Sequence, residues 1–548
     1  MGGAVEYSTE QAQRKQSPIL ANGLAILLVS RLLSAWYNII HDCDEVYNYW
    51  EPLHYIMYGY GMQTWEYSAA FALRSWWYIV LHGMIGWPLS LVFGKVAVFY
   101  GVRAVLAVLS ALAEWTLCSA VATRYHPHVA KLYLVFSVFS SGMFVSSSAF
   151  LPSSVAMVAM TLGAAGVLQR NDTLVIWSAV VGCTWGWIVA ALAFIPYAIW
   201  VLVSSENMFR SWRTLFMAAM AACVPLVACD RWYYGSWKAS LVNFLEYNVK
   251  GGGKSDLYGI EPATYYLRNG LNQLQTVLPL ALVFPLMIGW KPRSHSMPRT
   301  TALFTVLAPA FVWLAAISYL PHKEERFLYV VYPLLLLAAA AVTVQLKDFF
   351  NAVFPAWLVR RLVAFGVLST CVLGISRTRA LTQHYGAQMS LYRMLPADSN
   401  QQARVCVGTE WYRFPSSFFL PGPEYRLQFV TSGFDGLLPR PFEETKDGTM
   451  AAPQQFNDMN RSEPDNYWDS ADGCDYFVTS STHHDDATRH MIDGAVLDQE
   501  KWKVRASVPM VDTAASPALY RALYIPFLSE KRNTWMTYIL LERKKSLL

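Results

Sequence analysis

The chain has 548 residues, of which 54% are hydrophobic and only 15% charged, with 21 tryptophans and a mean hydropathy of +0.26. Soluble domains carry about 25% charged residues, so the deficit excludes an ordinary soluble protein and indicates a polytopic α-helical membrane protein. A net charge of +5 over this length gives no basis for nucleic-acid binding, and no Cys-x-x-Cys pair or Cys/His cluster suggests zinc.

The segment up to about Pro18 is polar, carries Arg14 and Lys15, and is followed by an apolar run from Ile19 to about Tyr37. No small-residue cleavage site separates this run from the acidic residues beyond it. A retained first span with a cytosolic amino terminus is therefore expected, not a signal peptide. At its end stand His41, Asp42, Cys43, Asp44 and Glu45, then Tyr47, Asn48, Tyr49, Trp50, Glu51 and Pro52. Carboxylates this dense do not lie in hydrocarbon, so 40–72 is read as a loop at the membrane rim. Asp44 and Glu45 are the candidates for a catalytic base, because sugar transfer to a hydroxyl needs a carboxylate to take its proton. The same residues also suit a solvated acidic turn capping the next helix. Asp42, Tyr49, Trp50 and Glu51 are read as sugar-binding, and so are Trp65, Glu66 and Tyr67 in the run Gln63–Ser68, with Arg74 close behind. Trp76 and Trp77 read as an aromatic belt at the interface.

A span needs about 20 apolar residues. Candidate spans are 19–39, 73–93, 97–121, 173–189, 190–204, 211–229, 272–290, 300–318, 326–346 and 358–376. Pro152 and the serines at 146, 147, 148, 153 and 154 interrupt the apolar region 129–168. Three loops read as cytosolic by charge: Arg210 with Arg213, Lys291 with Arg293 and Arg299, and Lys347 with Arg360 and Arg361. Lys95 and Arg170 are assigned to the same side, and parity then makes 129–168 one net crossing with a broken helix. The total becomes about eleven spans. The polar segments 40–72, 230–271 and the Pro321–Arg326 turn fall together on the non-cytosolic side.

Asp230–Gly235 and Tyr258–Pro262, with Glu261 as a sugar-binding candidate, either line an acceptor groove or pack at the interface. Gly251–Gly253 before Lys254 lacks the Walker spacing and reads as a flexible turn. His322, Lys323, Glu324, Glu325 and Arg326 open an apolar span. So many ionisable groups beside lipid need partners, and a phosphate leaving group suits His322, Lys323 and Arg326. The other reading is an interfacial collar with the glutamates pairing internally. The tail, 378–548, alternates β-rich runs (Arg404–Val407, Tyr425–Val430, Cys474–Thr479, Trp502–Val511) with turns and reads as a small α/β domain outside the bilayer. A disordered stretch is expected near 440–470. Cys406 and Cys474 share this tail and suit a disulfide, and Asn460 begins a glycosylation acceptor, Asn460-Arg461-Ser462.

Three groups of residues carry a resemblance: Asp42–Glu45 with Tyr47–Pro52, Gln63–Ser68, and Pro321–Leu328. The tail adds Val405–Gly408, Glu410–Ser417 and Gly433–Pro439. Together they resemble the dolichyl-phosphate-mannose-dependent α-1,2-mannosyltransferase family of N-glycan precursor assembly, from roughly residue 25 to 528. The resemblance implies a GT-C fold in 1–377, a lumenal α/β domain in 378–548 and a multi-pass endoplasmic-reticulum location with a lumenal active site. It implies inverting transfer of mannose from dolichyl phosphate mannose to dolichyl-diphosphate-linked Man6GlcNAc2 and Man8GlcNAc2, without metal or other cofactor. Asp44 takes the general-base position, with His322, Lys323 and Arg326 at the donor phosphate. His41 departs from the family pattern, where serine is expected. A glycolipid-anchor mannosyltransferase is the rival within the superfamily, although those relatives tend to show His-Pro-Asp-Glu in the first loop. A transporter is the rival outside it, but its charges would lie near the midplane of repeated halves.

Overall fold

Helix α1 (Gly23–Tyr37) ends where the acidic cluster begins, and α4 (Lys95–Arg124) runs back beside it. Gly23 packs against Trp115, Arg31 Nε donates to Glu114 at 2.8 Å, and Arg103 donates to the Asn38 carbonyl at 2.9 Å. The two helices are thus antiparallel, and α4 starts on the face that carries the acidic cluster, hereafter the site face. The computed structural model describes residues 22–250, 254–289, 300–397, 401–468, 470–481, 491–492, 495–496 and 500–544. The polar amino-terminal segment, Gly251–Gly253 and the Lys291–Arg299 cluster lie outside the described residues.

Between α1 and α4, α2 (Glu51–Tyr58) and α3 (Trp76–Ser90) stay on the site face. Gly83 and Gly86 of α3 sit against Ile56 and Met57 of α2. Lys95, just beyond α3, donates from Nζ to the Tyr60 hydroxyl at 2.8 Å and the Ser417 carbonyl at 3.1 Å. The expected span 73–93 is therefore not a crossing. Lys95 misled the charge rule because its ammonium is held by a hydroxyl and a carbonyl of the site face, not by the opposite surface.

The region 129–168 corrects in the other sense, because it holds two traverses. Helices α5 (Pro127–Phe139) and α6 (Ser141–Ser146) climb to the site face, and α7 (Pro152–Gln169) descends. Ser137 meets Arg31, Asn38 donates to the Val145 carbonyl, and the Phe150 N–H reaches Glu45. Irregular backbone at this depth needs internal partners. Ser34 supplies one, bonding Phe144 O and Ser148 Oγ. Losing one crossing and gaining another leaves the expected total of spans unchanged.

Helix α8 (Asp172–Val181) lies antiparallel to α7, with Gly166 on Val175 and Gly163 near Ser178. Helices α9 (Ala191–Ser204) and α10 (Met208–Tyr234) follow. Then come α11 (Tyr265–Leu274), α12 (Val277–Val283), α13 (Phe304–Tyr319), α14 (Tyr332–Phe350) and α15 (Ala356–His384). Among the described residues, six helices are long and apolar enough to cross a membrane by themselves. The remaining traverses are shorter or broken. Asp230 at the end of α10 accepts from Ser75 Oγ and Trp76 N, capping α3, and Tyr233 stacks on Trp76, so these two residues serve packing.

The tail holds a five-stranded sheet. Its strands are β1 (Ala403–Val407), β2 (Tyr425–Phe429), β3 (Tyr476–Ser481), β4 (Trp502–Val511) and β5 (Trp535–Arg543), in the order β2-β1-β3-β5-β4. The β1 strand is parallel to both neighbours, and β5 is antiparallel to β3 and β4. Cys406 and Cys474 are disulfide-bonded, with Cα atoms 5.9 Å apart. The expected disorder near 440–470 is not found among the described residues there. Arg440–Pro441 pairs with Met62–Gln63, and Phe442 stacks on Tyr55 at 4.1 Å. Asn460 is half-buried, bonded to Leu437 N and Leu257 O.

Candidate active site

After α1 the chain runs extended to Asp42, whose carboxylate accepts from the Asp44 N–H at 2.9 Å and caps the single helical turn Cys43–Glu45. The cap is thus Asp42 and the capped turn this one; neither Asp44 nor Glu45 caps the helix that follows. A wide turn over Val46–Trp50 leads into α2, with Pro52 in its first turn. Such π-type turns occur often at functional sites. The turn sends the two acids of the sequence pair in opposite directions. Glu45 is 3% exposed and accepts from Trp50 Nε1 and Phe150 N, each at 3.0 Å. The Asp44 side chain keeps 36% of its surface open.

Arg326 stands opposite. Its guanidinium reaches Asp44 at 2.5 Å and Asp42 at 3.2 Å, and its Nε pairs with Glu324. Burial and the nearby Glu324 and Asp44 outweigh Arg326 at Asp42 and push its carboxyl up to about 7. Burial also pushes Asp44 upward, but Arg326 and Arg74 overcome it and hold that carboxyl below its ordinary value. Near neutrality Asp44 is the ionised member of the pair, and Asp42 shares the proton. His322 lies beside them, Nδ1 to the Gly259 carbonyl and Nε2 to Glu324, both at 2.9 Å. Burial lowers its pKa, but the hydrogen bond and charge of Glu324 raise it further, so the net shift is upward.

Lys323 is turned away. Its ammonium donates to the carbonyls of Glu261 (2.8 Å), Leu320 and Pro321 (3.4 Å), and the residue is 6% exposed. All three N–H donors face backbone carbonyls, so Lys323 staples two loops in place of the expected phosphate contact. Glu261 belongs to the same staple through its backbone, while its carboxylate lies 3.5 Å from Arg268.

Arg74 is the group that sequence reasoning left without a role. It pairs with Glu66, donates to the Tyr49 hydroxyl at 2.7 Å and lies over the Phe244 ring at 5.3 Å. Arg74, Tyr49, Tyr67, Tyr78 and Trp187 line a small cavity of about 50 Å3. The Tyr67 and Tyr78 hydroxyls are buried with no hydrogen-bond partner among the described residues. Trp187, inside an apolar run, gave no signal; Arg74 was signalled only by nearness to Gln63–Ser68.

Three sugar-platform expectations are corrected. Trp50 is fully buried among Phe99, Phe150 and Phe418, and Trp65 packs between Phe71 and Tyr247. Glu51 is fully buried and accepts from Met62 N, Ser417 N and Ser417 Oγ. An aromatic or acidic residue beside a site can hold the loop as readily as the ligand, and these three hold the loop. Asp42, Cys43 and Asp44 present ligand atoms within 4.8 Å of one another, but the Arg326 guanidinium lies against both carboxylates.

Residues 23–421 match the Alg9-like mannosyltransferase family. The α-1,2-mannosyltransferase ALG9 of Arabidopsis thaliana is 37% identical over 94% of this chain and 90% of its own length. The human α-1,2-mannosyltransferase ALG9 is 36% identical over 99% of this chain and 93% of its own. Among solved structures, ArnT from Cupriavidus metallidurans bound to undecaprenyl phosphate superposes with a TM-score of 0.53. Its identity is 13%, over 85% of this chain and 94% of ArnT.

Proposed function

Because the chain belongs to the Alg9-like mannosyltransferase family, we propose that it moves mannose from dolichyl phosphate mannose to a dolichyl-diphosphate oligosaccharide, forming an α-1,2 linkage. The protein is a multi-pass membrane mannosyltransferase of GT-C fold. Man6GlcNAc2 and Man8GlcNAc2 are the proposed acceptors, the endoplasmic reticulum lumen the side on which the site face opens, and 378–548 the lumenal domain.

The observation that supports this most is the contact between Asp44 and Arg326, a base and a phosphate-binding cation on one face. In the proposed step Asp44 takes the proton of the acceptor 2-hydroxyl as its oxygen bonds to the anomeric carbon. The bond from that carbon to the phosphate oxygen breaks, and dolichyl phosphate leaves with the electron pair. A single displacement of this kind inverts the anomeric centre. Arg326 and His322 receive the phosphate charge, and Arg74 is placed to share it. Arg326 holds Asp44 ionised until a phosphate competes for the guanidinium. Glu45 anchors the turn, Lys323 the loop behind it. The cation beside the carboxylates is a guanidinium, which supports transfer without a metal.

Purified protein given synthetic dolichyl phosphate mannose and the Man6GlcNAc2 lipid tests the reading. Mannose should be added in a linkage cleaved by an α-1,2-specific mannosidase, with turnover retained in excess chelator. Transfer to a glycolipid-anchor precursor, with none to the Man6GlcNAc2 lipid, would establish the rival.

A further inference from the structure

The transfer reaction makes no use of a groove on the opposite face. Helix α15 lies tight against the end of α5 at Gly374, where an added Cβ would lie 1.9 Å from the Phe139 carbonyl oxygen. Its first turn is anchored by Val359, 3% exposed. Between these two points α15 stands away from α5 and leaves a cavity of about 430 Å3, within the range of ligand pockets. Leu132, Val363, Val367 and Leu368 give it apolar walls. Lys347 in the last turn of α14 and Arg360, one turn into α15, close its end at the opposite face.

Two features identify the occupant. The outer side of α15 is open, with Leu362 61%, Phe365 70% and Leu368 61% exposed, so the cavity faces hydrocarbon, not water. Arg360 Nε donates to the Ala356 carbonyl at 3.2 Å, and among the described residues no carboxylate pairs with Lys347 or Arg360. Asp348 adjoins Lys347 in sequence, but consecutive helix positions do not share a face. Two cations at the end of an apolar cleft in a bilayer call for an anion with an apolar tail.

We propose that this groove binds one anionic phospholipid, its acyl chain along Val363 and Val367 and its phosphate between Lys347 and Arg360. The guanidinium offers the phosphate two parallel N–H bonds, and the ammonium adds a point charge. A zwitterionic lipid fits the cleft but leaves the cation pair unbalanced. A free phosphate balances the pair but leaves the apolar cleft unfilled.

The test uses the full-length protein in nanodiscs doped with photoactivatable phosphatidylglycerol or phosphatidylcholine. Cross-links are mapped to 356–371. The anionic probe should label this segment about tenfold more than the zwitterionic one. The double variant Lys347→Ala, Arg360→Ala should lose that preference, and Val367→Trp, which fills the cleft, should cut labelling by both probes. Mannosyl transfer by each variant checks that it is folded. Equal labelling by the two probes, or a preference that survives the double substitution, would overturn the proposal. Displacement of the anionic probe by inorganic phosphate alone would overturn it too, identifying a free-anion site.

Discussion

Replacing Glu51 by alanine should loosen the carboxy-terminal domain from the first loop and leave substrate binding as it was. The carboxylate is fully buried and accepts from Met62 N at 2.8 Å, Ser417 N at 2.6 Å and Ser417 Oγ at 2.8 Å. Two of these donors are fixed backbone N–H groups. Left unpaired in the interior, each costs about 1–3 kcal/mol, while the Ser417 hydroxyl can turn elsewhere. The side-chain cavity adds to this, so the loss is about 3–5 kcal/mol. Part of the gross bond strength does not count, because the buried Glu51 carboxyl, pushed above its ordinary pKa by burial, already bears a desolvation cost that alanine removes. Thermal unfolding should show a lower midpoint, and limited proteolysis should release the tail domain. Donor and acceptor KM of the folded fraction should be unchanged. An unaltered midpoint together with a raised acceptor KM would refute this reasoning and return Glu51 to sugar binding.

Further outcomes follow from the same geometry. A glycosylation acceptor inserted in the turn at 91–94 should be modified in microsomes if that turn lies on the same side as Tyr60, and should stay unmodified if 73–93 crosses the membrane. Asp42 has a carboxyl raised from 3.8 to about 7, so its contribution to stability is fully present below about 3.8 and is lost as pH rises through about 7. Its ionisation adds a charge that competes for Arg326, so donor KM should rise more steeply above pH 7 in the wild type than in Asp42→Asn, where only the loss of the His322 charge remains. Lys323→Met should lower the thermal midpoint and change donor KM less than about threefold, whereas Arg326→Lys, which loses the planar fork, should cut kcat/KM about a hundredfold.

The rim clusters were legible because carboxylates and cations packed against apolar runs have few places to go. Four of the five strands of the sheet were legible too: Trp502–Val511 has the bounds read from its β-rich pattern, and the other three runs fall within a few residues of β1, β2 and β3, whereas β5 between β3 and β4 was not read. The path of the chain was not. One lysine on the site face, bonded to Tyr60 and Ser417, carries the same sequence signal as a cytosolic lysine. The break at 147–151 hides two crossings because buried side chains of the first segment meet it, Glu45 accepting from Phe150 N and Ser34 bonding Ser148 Oγ, so no long polar loop marks the turn. Nor does the first loop reveal which of its residues face a ligand. Glu51 finds Ser417 across 366 positions, and Arg74 finds Tyr49 only after the loop has folded.

The central claim is that Asp44, poised by Arg326, removes the acceptor proton. Single-turnover transfer by purified Asp44→Asn, with synthetic lipid donor and acceptor at saturation, tests it most directly. The substitution keeps the shape of the side chain but gives up its ion pair with Arg326, so the thermal midpoint should fall modestly, while the rate of the folded variant should fall by about a hundredfold or more. A rate near that of the wild type in the folded variant would contradict the account.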